Sequence, residues 1–221
     1  MATFSIQAIK YFTNLIAPNS INAGIDIINP YESNAVKKVV KEFYNKFYND
    51  NNQRIFIWGI NLGRFGGGLT GISFTDPVAL REICGIENTF GGRKELSSKF
   101  IYNVIEKFGG TKKFFSIVFL TALYPFAIIK DGKNYNYYDE KLLAEKLKPE
   151  IISTIRKQIE FGTRKDFAIV LGKKNAEYFK DLNDKNNFFE KVYALEHPRY
   201  IMQYKLKKME YYIDKYLDLI S

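Results

Sequence analysis

Three short runs of continuous apolar, β-branched or aromatic residues constrain this chain more than anything else in it: 54–60 (RIFIWGI), 114–121 (FFSIVFLT) and 167–172 (FAIVLG). A strand wetted on one face alternates polar with apolar residues. These runs do not alternate, so each reads as a strand covered on both faces, as in a parallel sheet between helices. A fourth run, 189–196 (FEKVYALE), is shorter of apolar residues but also strand-like. Helical patterns lie between them. Residues 32–48 precede the first strand, 97–108 the second, 138–161 the third and 173–182 the fourth, and 197–220 close the chain; Pro149 marks a break or a new helix start within the third. Alternation of this kind predicts an α/β fold of three layers, α/β/α, around a central, mostly parallel four-stranded sheet. The N-terminus, MATFSIQAIKYF, reads as an amphipathic helix with Phe4, Ala8, Phe12, Leu15 and Ile16 on one face. At 221 residues and 46% hydrophobic, with no Pro/Gly/Ser linker and no repeat, the chain is expected to be one domain, 1–221, with N-terminal helices (1–50) packed on the core. The segment 130–140 (KDGKNYNYYDE) reads as a surface loop.

Residue counts exclude several chemistries. One cysteine, Cys84, and one histidine, His197, rule out a disulfide framework, a Cys-ligated zinc site, an iron–sulfur cluster held by four cysteines and any site needing two imidazoles. No metal and no cofactor is expected. With 33 Lys and Arg against 24 Asp and Glu, the net charge is +9, which points to a polyanionic partner, nucleic acid before membrane. No apolar run approaches the roughly 18 residues a membrane helix needs, and the N-terminus lacks the layout of a secretory signal. A cytoplasmic location, without membrane contact, is expected.

In open α/β sheets, ligands bind beyond the C-terminal ends of the strands. Three segments fall there: GINLGRFGGGLTGISFTDP after the first strand, TALYPF after the second and EHPRYIMQY after the fourth. The first holds six glycines between 59 and 71, which let the backbone approach a ligand or turn sharply. It fits neither the dinucleotide fingerprint nor a P-loop. At its end, Asp76 followed by Pro77 reads as a helix cap rather than a catalytic carboxylate.

The residues from Gly59 to Gly66 (GINLGRFG) and from Thr70 to Phe74 (TGISF), together with His197-Pro198, resemble the paired motifs of the uracil-DNA glycosylase superfamily, in particular its single-strand-selective monofunctional (SMUG-like) branch of bacterial type. The family patterns are G-[MI]-N-P-G-x-F-G, then T-G-[VI]-P-F, with a later His-Pro. The resemblance covers roughly residues 50–205. Two positions depart from it: Leu62 stands where the family has proline, and Ala122 stands at the register of the asparagine that reads the base in better-known members.

The resemblance implies hydrolysis of the bond between deoxyribose and uracil, or a related damaged pyrimidine, in base excision repair. The partner would be uracil-containing DNA, single- or double-stranded, bound by a monomer. Asn61 would hold the attacking water and His197 would donate to the departing base. Gly63 would bring its backbone close, Phe74 would stack on the flipped base, and Thr121, backbone groups, or both would read it in place of the missing asparagine. Arg64, Lys173, Lys174, Arg199 and Tyr200 would meet DNA, with Arg199 and Tyr200 where the family carries its wedge. Phe65 would pack behind the loop. From the residues alone, Asn61 also fits a turn cap, His197 fits a helix boundary better than a donor, and Phe74 fits the core equally well. Two other functions stay open: a DNA-binding protein of this fold with weak or no glycosylase activity, and a nucleotide-handling α/β enzyme, supported by the glycine-rich loop alone.

Overall fold

Residues 2–18 and 24–221 are described in the computed structural model. The strands, in chain order, are β1 (Ile25–Ile28), β2 (Ile55–Leu62), β3 (Val118–Lys130), β4 (Lys133–Tyr135), β5 (Phe167–Leu171) and β6 (Lys191–Leu195). The helices are α1 (Phe4–Thr13), α2 (Asn34–Phe47), α3 (Gly67–Thr70), α4 (Pro77–Glu82), α5 (Leu96–Phe108), α6 (Thr111–Ile117), α7 (Lys141–Ile159), α8 (Lys173–Asn186), α9 (Pro198–Tyr204) and α10 (Met209–Ile220).

The four expected strands form a parallel core, β3-β2-β5-β6, and helices cover both sides of the sheet. The sheet has six strands rather than four, because β1 and β4 both pair antiparallel with the far half of β3. The strand also lies later in the chain than the run 114–121 predicts. Residues 114–117 close α6, with Phe114 and Phe115 buried, and the strand begins at Val118 and runs through Pro125 to Lys130. A proline inside a strand leaves one ladder bond unmade. Here the register slips from Asn61↔Tyr124 to Leu62↔Ala127, so Pro125 falls where β2 makes no pair. Since β1 takes one edge of β3 at Ala127–Lys130, β4 takes the other, next to β3 where β2 has ended. The segment expected to be a surface loop is therefore a hairpin directly above the end of β2.

Other expectations shift less. α7 runs unbroken through Pro149, whose ring lies on the exposed side, where water can meet the carbonyl it fails to bond. Residues 197–220 form α9, a 3₁₀ turn at 206–208 and α10 rather than one helix. α1 ends at Thr13, so Leu15 and Ile16 lie beyond it, and Ile16 is exposed.

One apolar cluster joins α1 to α10, and aromatic rings gather around Phe4: Tyr48, Phe56, Phe119 and Phe161 meet it stacked, tilted or edge-on. Arg54 is fully buried there. It donates to the carbonyls of Phe115 (2.7 Å) and Asn52 (3.0 Å) and to Asp50 Oδ2 (2.8 Å), and its guanidinium lies against the rings of both Phe4 and Tyr48. Among the described residues no helix is long and apolar enough to cross a membrane.

Candidate active site

The ends of β2 and β3, the hairpin and the start of α9 enclose a cavity of about 80 Å³ lined by Asn61, Gly63, Ser73, Phe74, Glu95, Ser97, Ala122, Asn134, Asn136, His197 and Arg199, among others. Asn61 is fixed by the slip that ends β2. Its Nδ2 donates to the Tyr135 carbonyl (3.1 Å) on the hairpin and more weakly to the Leu62 carbonyl (3.4 Å). With the amide turned that way, Oδ1 is buried and accepts no hydrogen bond from the protein. A buried acceptor without a partner is costly and marks a place where something else donates.

His197 caps α9. Its Nδ1 accepts the backbone N–H of Arg199 at 3.2 Å, which leaves the proton of the neutral ring on Nε2. Although its surface edge is partly open, the ring is enclosed by protein. Burial first, and the neighbouring Arg199 guanidinium second, lower its pKa from 6.5 to about 4. The ring is therefore a neutral donor at physiological pH. Gly172, just past β5 and beside His197, takes a backbone φ of +94°, a conformation open to glycine.

The Phe74 ring lies 6.1 Å from the His197 ring, tilted by 46°. Its backbone has φ +57°, a conformation that costs an aromatic residue free energy and recurs at functional sites. Gly59 admits it: a Cβ at 59 would stand 2.6 Å from the ring's Cζ. The following turn is as expected, with Asp76 Oδ1 accepting from the amides of Val78 (3.0 Å) and Ala79 (2.8 Å) at the head of α4.

Asp76 has a second task. Its Oδ2 accepts the Glu95 N–H at 2.8 Å, which anchors Glu95 in the cavity wall. The Glu95 carboxyl is pressed against the glycine-rich loop: a Cβ on Gly63 or Gly66 would fall 2.1 Å or 1.9 Å from its oxygens. Burial, helped by the Asp76 charge and opposed by Arg199, raises its pKa to about 7. Sequence reading missed Glu95. The one trace of it was the spacing of Gly63 and Gly66, two positions that must lack side chains.

The other expected residues divide. Gly63 lines the cavity, and Arg199 reaches its mouth. Thr121 does not line it: its hydroxyl donates to Gln158 Oε1 on α7, inside the protein, and Ala122 faces the cavity instead. Successive strand residues point to opposite sides, so adjacent positions cannot share the task. Phe65 does not pack behind the loop. It faces an adjoining groove of about 260 Å³, with the guanidinium groups of Arg64 (4.2 Å) and Arg93 (3.8 Å) over its ring. Lys94, Lys133 and Arg199 also line this groove. Arg64 is held by its own amide, which donates to Asn134 Oδ1 (3.1 Å), and by its guanidinium on the Gly132 carbonyl. Tyr200 is exposed on α9 and leans on Tyr204. Lys173 and Lys174 are exposed at the head of α8 and do not line the cavity. Leu62 is buried and touches the start of α3. Cys84 is buried against the Tyr102 hydroxyl, its thiol pKa pushed up to about 11, so it is no nucleophile. Among the described residues no three His, Cys, Asp or Glu side chains gather as metal ligands.

The α/β/α fold, with Asn61 and His197 lining one cavity at the strand ends, agrees with what the resemblance to the uracil-DNA glycosylases implies. The family model described as the uracil DNA glycosylase superfamily matches residues 45–220, and the chain belongs to that superfamily. It is similar to the crystal structure of wild-type Pedobacter heparinus SMUG2 at 40% identity and a TM-score of 0.94, over 99% of this chain and 97% of that one, which supports the SMUG-like branch. No curated protein matches it.

Proposed function

We propose that the protein is a monofunctional glycosylase that hydrolyses the bond between deoxyribose C1′ and the ring nitrogen of uracil, or of a related damaged pyrimidine, in DNA, and so begins base excision repair. The observation that carries this reading is the meeting, in one small cavity, of an unengaged acceptor, Asn61 Oδ1, with a neutral donor, His197 Nε2–H. As the bond breaks, its electron pair moves into the base, which leaves as an anion, and C1′ becomes electron-poor. His197 donates to the base oxygen where that charge gathers, and being neutral already it needs no reorganisation. Asn61 Oδ1 holds the water facing C1′. The base reaches the cavity by flipping out of its strand and stacks on Phe74 beside Gly63. Among the described residues no lysine lines the cavity, so no Schiff base forms and no strand cleavage follows. Arg64, Lys173, Lys174 and Arg199 meet the phosphate backbone, and Tyr200 fills the gap the base leaves.

Incubation with a uracil-containing oligonucleotide, followed by alkali, tests this: strand nicking that depends on both uracil and enzyme is expected. A second reading, a DNA-binding protein with little or no glycosylase activity, draws on Ala122 facing the cavity while Thr121 faces away, which leaves β3 with no side chain to read a base. A gel shift without nicking would favour it.

A further inference from the structure

Hydrolysis leaves one proton to be placed. When the water oxygen bonds to C1′, a water proton must go to some acceptor. An amide such as Asn61 can orient the water but cannot take its proton at neutral pH. The titratable side chains lining the cavity are Glu95, His197 and Arg199. His197 Nδ1 is occupied by the Arg199 amide and its Nε2 already carries a proton, while a guanidinium has nothing to accept with. Glu95 is the group left. Its carboxyl lies against Gly63, two residues from Asn61, and Glu95 and Asn61 both line the one cavity of about 80 Å³.

We propose that Glu95 is a further catalytic residue, the general base that takes a proton from the water held by Asn61 as that water attacks C1′. The inference rests on the glycosylase reading. The step balances without a further reactant. The water's oxygen bonds to C1′, the C1′–N bond breaks, its electron pair leaves on the base, and the water's proton passes to the Glu95 carboxylate and then to solvent at the cavity mouth. Gly63 and Gly66 acquire a reason by the same argument, since a side chain at either would expel the carboxyl. The base is poised for the task, because a catalytic group serves best with a pKa near the working pH, and that of Glu95 is raised to about 7. The charged groups around it are Asp76 at the head of α4, Arg199 on α9, Arg64 and Lys133 from the loop after β2 and the hairpin, and Arg93 and Lys94 on its own segment, with the titratable but neutral His197 in the same cavity lining.

The test is single-turnover base release from a uracil-containing oligonucleotide between pH 5.5 and 9, with saturating enzyme. The wild-type rate should rise with pH through about 7 and level off. Glu95→Gln should lose that rise and, at pH 8, about 100-fold in rate, the lower end of what general bases contribute. Glu95→Ala opens room for a small carboxylate, so added formate should restore its rate in proportion to concentration, and should do nothing for the Gln variant. A Gln variant with the wild-type rate and pH profile overturns the proposal. So does a folded, DNA-binding Ala variant that formate does not rescue, or a Glu95→Gln defect that appears only in KM or in base preference. A wild-type chain that releases no base overturns the glycosylase reading itself, which keeps the two failures apart.

Discussion

His197 Nδ1 and the backbone N–H of Arg199 are joined at 3.2 Å, and this one bond makes the imidazole both a helix cap and a donor of fixed tautomer. The two roles separate on substitution. His197→Ala should lose the cap, about 1 kcal/mol of stability. It should also lose a donor that matters only once the base is anionic, a factor on the order of 100 to 1000 in single-turnover rate. A variant that melts lower but excises at close to the wild-type rate would make the only histidine in the chain structural. Because its pKa lies near 4, His197 stays neutral from pH 5 to 9, and no step in the rate near pH 6.5 should belong to it.

Asn61→Ala removes the water's acceptor and leaves the DNA surface untouched. Turnover should fall steeply while affinity for a uracil-containing oligonucleotide, measured by anisotropy, changes little. The substitution also frees the Tyr135 carbonyl, so a modest fall in melting temperature is expected. Lost affinity with an unchanged rate at saturation would make Asn61 a binding residue.

What could be read in advance followed the length scale of each signal. β2 and β5 were legible because strands covered on both faces are apolar throughout, and the cap of α4 because Asp-Pro has little else to do. The start of β3 was not, since Phe114 and Phe115 are buried in the last turn of α6 and a buried helix end looks like a strand in sequence. Asn61 and His197 were found through motifs. Glu95 could not be, because it enters the cavity from a segment of no pattern, held by a bond to Asp76 nineteen residues away. Asn134 and Asn136 were lost to the same cause: a polar, tyrosine-rich hairpin reads as solvent-exposed until the sheet places it over β2.

Binding should depend steeply on salt. Each phosphate neutralised contributes a slope of about −0.9 in log affinity against log salt on a duplex, and about −0.7 on a single strand. The groove lined by Arg64, Arg93, Lys94, Lys133 and Arg199 adjoins the cavity and shares Glu95, Asn134 and Arg199 with it. Arg93→Ala should flatten the slope by about one phosphate's worth and leave single-turnover release at saturation unchanged. An unaltered slope would place the backbone elsewhere on this basic chain.

The opposite shifts of Glu95 and His197 make a last prediction, about stability rather than rate. Below pH 4.5 Glu95 is protonated in both folded and unfolded chains. Between pH 4.5 and about 7 the unfolded carboxyl ionises while the folded one keeps its proton, so this group's contribution to stability falls as pH rises and is gone above 7. His197 runs the other way. Between pH 6.5 and about 4 the unfolded imidazole takes a proton that the folded one refuses, so its contribution is lost as pH falls. Across the shared window, roughly pH 4.5 to 6.5, the two slopes offset each other in the wild-type protein. Glu95→Gln removes one of them and cannot ionise. Relative to wild type it should gain stability from pH 4.5 to about 7 and level off there, by up to about 3 kcal/mol, the worth of a shift of this size. Groups common to both proteins cancel in the difference, so the measurement is a pair of melting curves at each pH. Curves that run parallel would mean that the Glu95 carboxyl ionises in the folded protein as readily as in water, and is not held in the closed cavity wall between Gly63 and Gly66.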